Sequence, residues 1–219
     1  MSATLQVYLL RHGETVCPSS FYGHLDVELS ERGRAQAEAQ ARWLERVQLS
    51  AIYCSDLQRA RHGALAVSTR QTEAHGSAPP LESLAALREM HLGVFEGLEF
   101  AKARARFPEL AGLRYQDLLE TRIPGGETVR DVNARVLPCA QELTERHLRA
   151  DKGAGTAIAI VAHNTVLRLT LAHYAGLGPA GYVRFKQSCG AISRVDLATA
   201  SGPDAIAEAT IMFSNMLPT

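Results

Sequence analysis

Two histidines, two arginines and a glutamate in this sequence have the chemistry needed to act together on a phosphate. Arg11 and His12 follow one short apolar run, and His163 follows another. Paired guanidinium groups, here Arg11 and Arg59, match phosphate oxygens, and a neutral imidazole can attack phosphorus. Glu89, on a glycine-flanked loop, could protonate the leaving oxygen and then activate water. These residues predict phosphoryl chemistry, and either histidine could be the nucleophile.

Short apolar strands must position these side chains. Val7–Leu10, Ala51–Cys54 and Thr156–Ala162 are each followed by polar residues. In open α/β sheets, ligands bind at the carboxyl ends of the strands, so these polar residues should meet there. Ser55 is predicted to cap a helix that carries Arg59 one turn inside it and ends near residue 68.

Periodicity and turn residues predict the remaining elements. A helix over about 31–47 is capped by Ser30, and Ala35, Ala39, Trp43 and Val47 form its apolar stripe. Further predictions are an extended segment at 81–87, an interrupted helix at 98–120, a helix at 129–148 that is kinked or broken at Pro138, a polar turn at 151–155, a helix at 166–174, and strands at 191–197 and 205–213. This alternation predicts an α/β fold: a three-layer sandwich with a mostly parallel central sheet and helices on both faces, in a single domain over 1–219.

Composition narrows the function classes. Lys and Arg number 23, Asp and Glu also 23, so no basic field for nucleic acid or an anionic membrane surface is expected. No apolar run reaches the length of a membrane span, and the four cysteines are far apart, which favours the cytoplasm. His12, His24 and His163 could form a zinc site, but nearby arginines would oppose a dication, so neither a metal nor another cofactor is expected.

Six sequence blocks carry a resemblance to a known family. Leu10–Thr15 resembles the signature of the histidine phosphatase (phosphoglycerate mutase-like) superfamily. The other blocks follow in the family's order: Gly23–Asp26 with Leu29–Gly33, Ser55–Ala60, Glu89 with Gly93 and Glu96–Gly97, Pro124–Glu127, and Val161–Asn164. The position three residues after Thr15, commonly Asn in the family, is Pro18 here.

The resemblance implies a role for each matching residue. His12 would become phosphorylated, Arg11 and Arg59 would hold the phosphoryl oxygens, His163 would stabilise the transition state, and Glu89 would transfer protons. The substrate-binding residues that it implies are Arg11, Thr15, Gly23, Arg59, His163 and Asn164.

The sequence indicates the type of reaction more closely than it indicates the substrate. The blocks 54–62, 87–90 and 185–189 are similar to those of α-ribazole phosphatases, which remove the 5′-phosphate of α-ribazole phosphate. The expected partner is a small phosphorylated metabolite, and homodimer formation stays open. Phosphoglycerate mutase and fructose-2,6-bisphosphatase-like activities remain alternatives, as does an inactive relative that binds phosphorylated ligands or proteins.

Overall fold

A single six-stranded sheet forms the centre of the fold. A computed structural model of the protein describes residues 4–150, 156–198 and 208–218. The strands are β1 (Thr4–Arg11), β2 (Ala51–Ser55), β3 (Leu81–Leu84), β4 (Thr156–Ala162), β5 (Ile192–Ala198) and β6 (Glu208–Met216), in the spatial order β3-β2-β4-β1-β5-β6. Strands β1 to β4 are parallel to one another, and β5 is antiparallel to both neighbours. The prediction of a mostly parallel sheet is therefore confirmed.

Helices cover both faces of this sheet. They are α1 (Glu31–Leu44), α2 (Gln58–His75), α3 (Phe100–Arg106), α4 (Pro108–Ala111), α5 (Val129–Ala150) and α6 (Asn164–Tyr174). Side chains of β1 alternate between the faces: Leu9 packs with α5 and α6, whereas Leu10 packs with α1 and α2. Two separate buried clusters result, which confirms the predicted three-layer α/β sandwich.

The strand register brings the carboxyl ends of three strands to one level. Arg11 of β1 is paired with Ala162 of β4, and Cys54 of β2 is paired with Val161. The next residue after each strand therefore leaves the sheet at the same edge. The backbone amide of His12 also donates to the Ala162 carbonyl at 3.1 Å, which fixes the exit of β1 against that of β4.

The turn between β2 and α2 differs from the prediction. Ser55 is the last residue of β2, paired with Leu84 of β3, and is not a helix cap. Its hydroxyl accepts from the Leu57 amide, and α2 begins at Gln58 and continues to His75. Arg59 is consequently the second residue of α2. Strand pairing across the sheet prevails here over the local capping preference of serine.

Two helix predictions also need correction. Ser30 caps α1 as predicted, by accepting from the Gly33 amide, but the buried stripe is Gly33, Ala37, Gln40, Ala41 and Leu44. Ala35 is exposed, and Trp43 is partly buried against Tyr8 and Phe213. A kink or a break was predicted at Pro138; helix α5 continues through this residue, so the break is wrong, whereas the kink stays a prediction.

Other boundaries are close to the predictions. Strand β4 has the predicted bounds, the extended segment at 81–87 ends in a 3-10 turn, and 98–120 contains α3, α4 and a further 3-10 turn. The predicted turn at 151–155 and the first residues of the strand predicted at 205–213 lie outside the described residues. In the part of the chain that the structure describes, no helix is both long and apolar enough to cross a membrane.

Candidate active site

Most of the predicted site residues border one cavity. Its volume is about 590 Å³, and it opens beside the carboxyl edge of the sheet. Six of the eight predicted residues line it: Arg11, His12, Thr15, Gly23, Glu89 and Asn164. Arg59 and His163 are fully buried and do not line it. They lie behind its wall, with the His163 ring 5.1 Å from the His12 ring between centroids.

The tautomer of His12 follows from its backbone contact. Its Nδ1 lies 2.7 Å from the carbonyl oxygen of Gly13, and the side chain is 2% exposed. Because a carbonyl oxygen can only accept, Nδ1 carries the proton and Nε2 keeps its lone pair. Burial lowers the pKa of His12 well below 6.5, and the charges of Arg11 and Arg59 lower it further. The imidazole is therefore neutral at pH 7, and its Nε2 is available as a nucleophile.

The ring of His163 is fully buried beside that of His12. Neither of its nitrogens has a hydrogen-bond partner among the described residues, although the side chain is 0% exposed. Burial, followed by the charge of Arg59, holds the pKa of His163 well below 6.5. A buried polar atom without a partner is costly, so this ring is suited to a ligand that can hydrogen-bond to it.

Two arginines make the polar end of the cavity positive. Arg11 donates through Nη1 to the carbonyl oxygen of Gln187. Arg59 donates from Nη1 to the Leu25 carbonyl at 2.8 Å and from Nη2 to the Gly23 carbonyl at 2.6 Å. In both arginines Nε is buried with no partner in the described part of the chain. Arg59 therefore uses part of its fork to hold the loop over the site, and burial lowers its pKa.

The loop after β1 is packed backbone against backbone. A Cβ added to Gly13 would collide with the carbonyl oxygen of Gly33, the third residue of α1. Only two glycines allow this approach, which holds the exit from β1 against α1. Thr15, two residues on, is 1% exposed and its hydroxyl has no partner in the described ranges. Pro18, the departure from the family pattern, also borders the cavity.

Glu89 lines the same cavity, and backbone amides hold its carboxyl group. Its Oε1 accepts from the Met90 amide at 2.8 Å, and its Oε2 accepts from the Thr165 amide at 3.3 Å. Thr165 is the second residue of α6, so the carboxyl group lies at the positive end of that helix. Asn164, the first residue of α6, lines the cavity beside it.

Arg135 holds the loop that carries Glu89, and sequence reasoning missed it. It donates to the carbonyl oxygens of Ala86 (2.9 Å), Arg88 (2.7 Å) and Glu89 (2.8 Å), and binds both carboxylate oxygens of Glu127 at 2.8 Å. All five N–H donors of its guanidinium are used. One signal was available in the sequence: Arg135 is a charged residue directly before Val136, next to the apolar stripe of α5.

Glu127 is the anionic partner in this arrangement. Burial raises the pKa of its carboxyl group, but hydrogen bonds from Arg135 and from the His91 amide outweigh burial, and the net pKa lies below 4.5. Glu127 is therefore ionised at neutral pH and pairs with Arg135. In the described ranges no group of three or more His, Cys, Asp or Glu side chains could hold a metal ion.

Comparisons with known proteins agree with this geometry. Residues 7–203 match the histidine phosphatase superfamily (branch 1). A glucosyl-3-phosphoglycerate phosphatase of Mycolicibacterium vanbaalenii is 34% identical over 78% of this chain and 75% of its own length. A 2,3-bisphosphoglycerate-dependent phosphoglycerate mutase of Gloeobacter violaceus is 30% identical over 78% of this chain and 76% of its own length.

A solved structure shares the whole architecture. The α-ribazole phosphatase of Shigella flexneri superposes with a TM-score of 0.77 at 26% identity, covering 96% of each chain. The family match spans most of the sequence, and it includes the second half of β1, the loop that carries Glu89 and the start of α6. The chain belongs to the histidine phosphatase superfamily (branch 1), and it is a phosphatase.

Proposed function

We propose that the protein hydrolyses phosphomonoesters of small metabolites through a phosphohistidine on Nε2 of His12, without a metal ion. The observation that carries this proposal is the contact between His12 Nδ1 and the Gly13 carbonyl, 2.7 Å long. It leaves a lone pair on Nε2 at the buried edge of a positive cavity. His163 has no such contact with any residue that the structure describes, so the two histidines, equivalent in the sequence, differ in chemistry.

The first half of the reaction transfers the phosphoryl group to the enzyme. The Nε2 lone pair attacks phosphorus, an N–P bond forms, and the bond from phosphorus to the ester oxygen breaks. Glu89 donates a proton to that oxygen, so the alcohol leaves neutral. His12 then carries the phosphoryl group on Nε2 and keeps the proton on Nδ1, where the Gly13 carbonyl orients the ring.

The second half returns the enzyme to its starting state. Glu89, now a carboxylate, takes a proton from water as the water oxygen attacks phosphorus. The N–P bond breaks, its electron pair returns to Nε2, and inorganic phosphate leaves. Glu89 again holds the proton that it donated, so the cycle balances with one water consumed.

Charge on the transferred group is balanced by protein groups. Arg11 and Arg59 place positive charge beside His12. The ring nitrogens of His163, which have no partner in the described part of the chain, can bond the phosphoryl oxygens. The N-terminus of α6 adds backbone amides near Asn164. Preorganised donors of this kind stabilise charge that develops in the transition state.

Trapping the intermediate tests the mechanism. Enzyme mixed with substrate is quenched in alkali, which preserves phosphohistidine, and the peptide containing His12 is analysed by mass spectrometry in the presence of EDTA. We expect a phosphorylated His12 peptide, and none in His12→Ala. His163→Asn is the matched control, with slower labelling at the same position. Phosphate on another residue, or turnover that EDTA abolishes, would overturn the proposal.

Two substrates have specific support. α-Ribazole 5′-phosphate is favoured by the sequence blocks and by the similar Shigella flexneri structure. Glucosyl-3-phosphoglycerate is favoured by the Mycolicibacterium vanbaalenii relative. A kcat/KM lead of a hundredfold for one of them, about 2.7 kcal/mol of transition-state discrimination, would identify it.

Mutase activity is the second candidate, because one relative is named a phosphoglycerate mutase. A mutase returns the phosphoryl group from histidine to the substrate, whereas a phosphatase passes it to water. Incubating the enzyme with 3-phosphoglycerate and 2,3-bisphosphoglycerate and measuring 2-phosphoglycerate against free phosphate separates the two. Phosphate in excess is the result that we expect.

A further inference from the structure

The cavity continues from the phosphate end into a region with apolar walls. We refer to this region as the apolar chamber. It is lined by Phe21, Leu92, Phe95, Phe100, Leu110, Leu113, Tyr115, Leu118 and Ile123. A cavity of about 590 Å³ is far larger than a phosphoryl group needs, so the chamber is available to the rest of the substrate.

Aromatic rings make up much of this chamber. Phe21 packs on Phe95 at 5.0 Å between ring centroids and on Phe100 at 4.7 Å in an edge-to-face arrangement. Phe100 and Tyr115 nevertheless remain 45% and 58% exposed. Large aromatic side chains that stay accessible beside a cavity indicate a binding surface for apolar groups.

Tyr115 is held in place from behind. The guanidinium of Arg168 lies 5.0 Å from the Tyr115 ring and 4.8 Å from the Tyr182 ring. The hydroxyl of Tyr182 donates to the backbone carbonyl of Tyr115, and Arg168 donates to the Tyr182 carbonyl at 2.9 Å. These contacts hold the exposed Tyr115 ring in place, so a ligand would lose little binding free energy to ordering this side chain.

The chamber shares one cavity with Glu89, the proposed proton donor to the leaving group. Glu89 protonates the ester oxygen in the proposed reaction, and Met90, Leu92 and Phe95 line the cavity immediately after it in the chain. An alcohol that Glu89 protonates would therefore leave into a cavity whose neighbouring walls are apolar. A leaving group rich in hydroxyl or carboxylate groups would lose hydrogen bonds to water there.

Charged groups are scarce on this wall. Of the described side chains between residues 92 and 123 that line the cavity, Arg104 is the only charged one, and it lies one turn after Phe100 on α3. A bisphosphate or a phosphoglycerate would need cations at its second anionic group. One exposed arginine is a weak site for that purpose.

We propose that the substrate's leaving group is a bulky aromatic alcohol that occupies the apolar chamber, in preference to a sugar or glycerate. This inference rests on the proposed phosphatase reaction and narrows its substrate class. It sets this chain apart from a relative whose name describes a glucosyl-3-phosphoglycerate phosphatase.

Three phosphate esters of primary alcohols test the inference, because their leaving oxygens are chemically alike. We expect kcat/KM for 2-phenylethyl phosphate to exceed that for glycerol 3-phosphate and for 3-phosphoglycerate at least tenfold. Phe100→Ser should lower kcat/KM for the phenylethyl ester at least tenfold and change the glycerol ester less than twofold. Leu65→Ser removes an apolar side chain on α2 that is 55% exposed and does not line the cavity, and it should change neither rate.

The outcomes separate the inference from the proposed function. A preference below tenfold, or 3-phosphoglycerate turnover that depends on Arg104 and exceeds phenylethyl turnover, would overturn the aromatic leaving group while hydrolysis stands. If no ester is hydrolysed, the Kd values of 2-phenylethylphosphonate and ethylphosphonate are measured by calorimetry. At least tenfold tighter binding of the phenylethyl compound would support the apolar chamber as a binding site, while the missing turnover would overturn hydrolysis. Equal binding without turnover overturns both.

Discussion

Arg135 offers a sensitive test of how the fold positions the proposed acid. Its five donors bind Glu127 and the carbonyls of Ala86, Arg88 and Glu89. Arg135→Lys keeps the charge but offers three donors without a planar fork, so at least two hydrogen bonds are lost. The expected variant is folded, with a loosened acid loop.

The structure sets the size of the stability effect. Hydrogen bonds to charged groups contribute about 1.5–3 kcal/mol each, and two are lost. About a fifth of each side chain is exposed, 23% for Arg135 and 20% for Glu127, so water replaces part of the interaction. We therefore use the lower value, about 1.5 kcal/mol for each of the two lost bonds, and expect the free energy of unfolding to fall by about 3 kcal/mol. Urea unfolding at pH 7 measures it.

Kinetics distinguish positioning from stability alone. If Arg135 positions Glu89, the variant should lose about tenfold in kcat/KM on 2-phenylethyl phosphate, whose alcohol needs a proton to leave. On p-nitrophenyl phosphate, whose leaving group needs little protonation, the loss should be less than about threefold. Glu89→Gln removes the proton donor itself and serves for comparison. It should also lower kcat/KM more on 2-phenylethyl phosphate, by about a hundredfold, than on p-nitrophenyl phosphate.

A matched substitution controls for the general cost of removing an arginine. Arg146 lies on the same helix and pairs with Glu142 and Glu82 at 49% exposure. Exposed pairs contribute little, so Arg146→Lys should change the free energy of unfolding by less than about 0.5 kcal/mol and leave both rates intact. Equal losses on both esters in Arg135→Lys would refute the positioning argument.

Two further predictions concern backbone packing and protonation. Gly13→Ala should destabilise the fold by about 3 kcal/mol or prevent folding, because its Cβ meets the Gly33 carbonyl, while Gly112→Ala, with room for a Cβ, should be neutral in urea unfolding. In phosphate-free buffer, NMR resonances of His12 and His163 should stay constant from pH 7.5 to 6, unlike those of added free histidine. The free energy of unfolding should fall as pH drops below about 6.5, because the unfolded chain takes up protons that these buried rings do not. Normal titration of either ring would contradict the burial argument.

Parts of the fold could be predicted because local pattern and tertiary context agree. Strand β4 is a continuous apolar run between polar residues, and its predicted bounds, Thr156–Ala162, match those observed. The stripe of α1 was misplaced because alanine is tolerated on either side of a helix, so Ala35 could be exposed and Ala37 buried. The prediction that Ser55 caps a helix is wrong because this residue pairs with Leu84, on a strand about 30 residues later that local sequence does not reveal.

The sequence predicts which residues form the site better than it predicts how they are arranged. Residue chemistry and strand ends grouped Arg11, His12 and Glu89, and the cavity contains all three. The sequence could not indicate that Arg59 donates hydrogen bonds to the carbonyls of Gly23 and Leu25, because these residues are far from Arg59 in the chain and meet it only in the folded structure. Arg135 was missed for the same reason. The catalytic roles and the single-domain assignment stay predictions.

The walls of the apolar chamber have a small core of their own. Phe95, Ala103 and Ile123 form a buried cluster apart from the two clusters on the faces of the sheet, with Leu92 and Leu118 as shared neighbours. The residues proposed to carry out the chemistry and those proposed to select the alcohol are therefore supported by different packing units. A change confined to segment 98–123 is expected to alter which alcohol is released while the groups around His12 keep their arrangement.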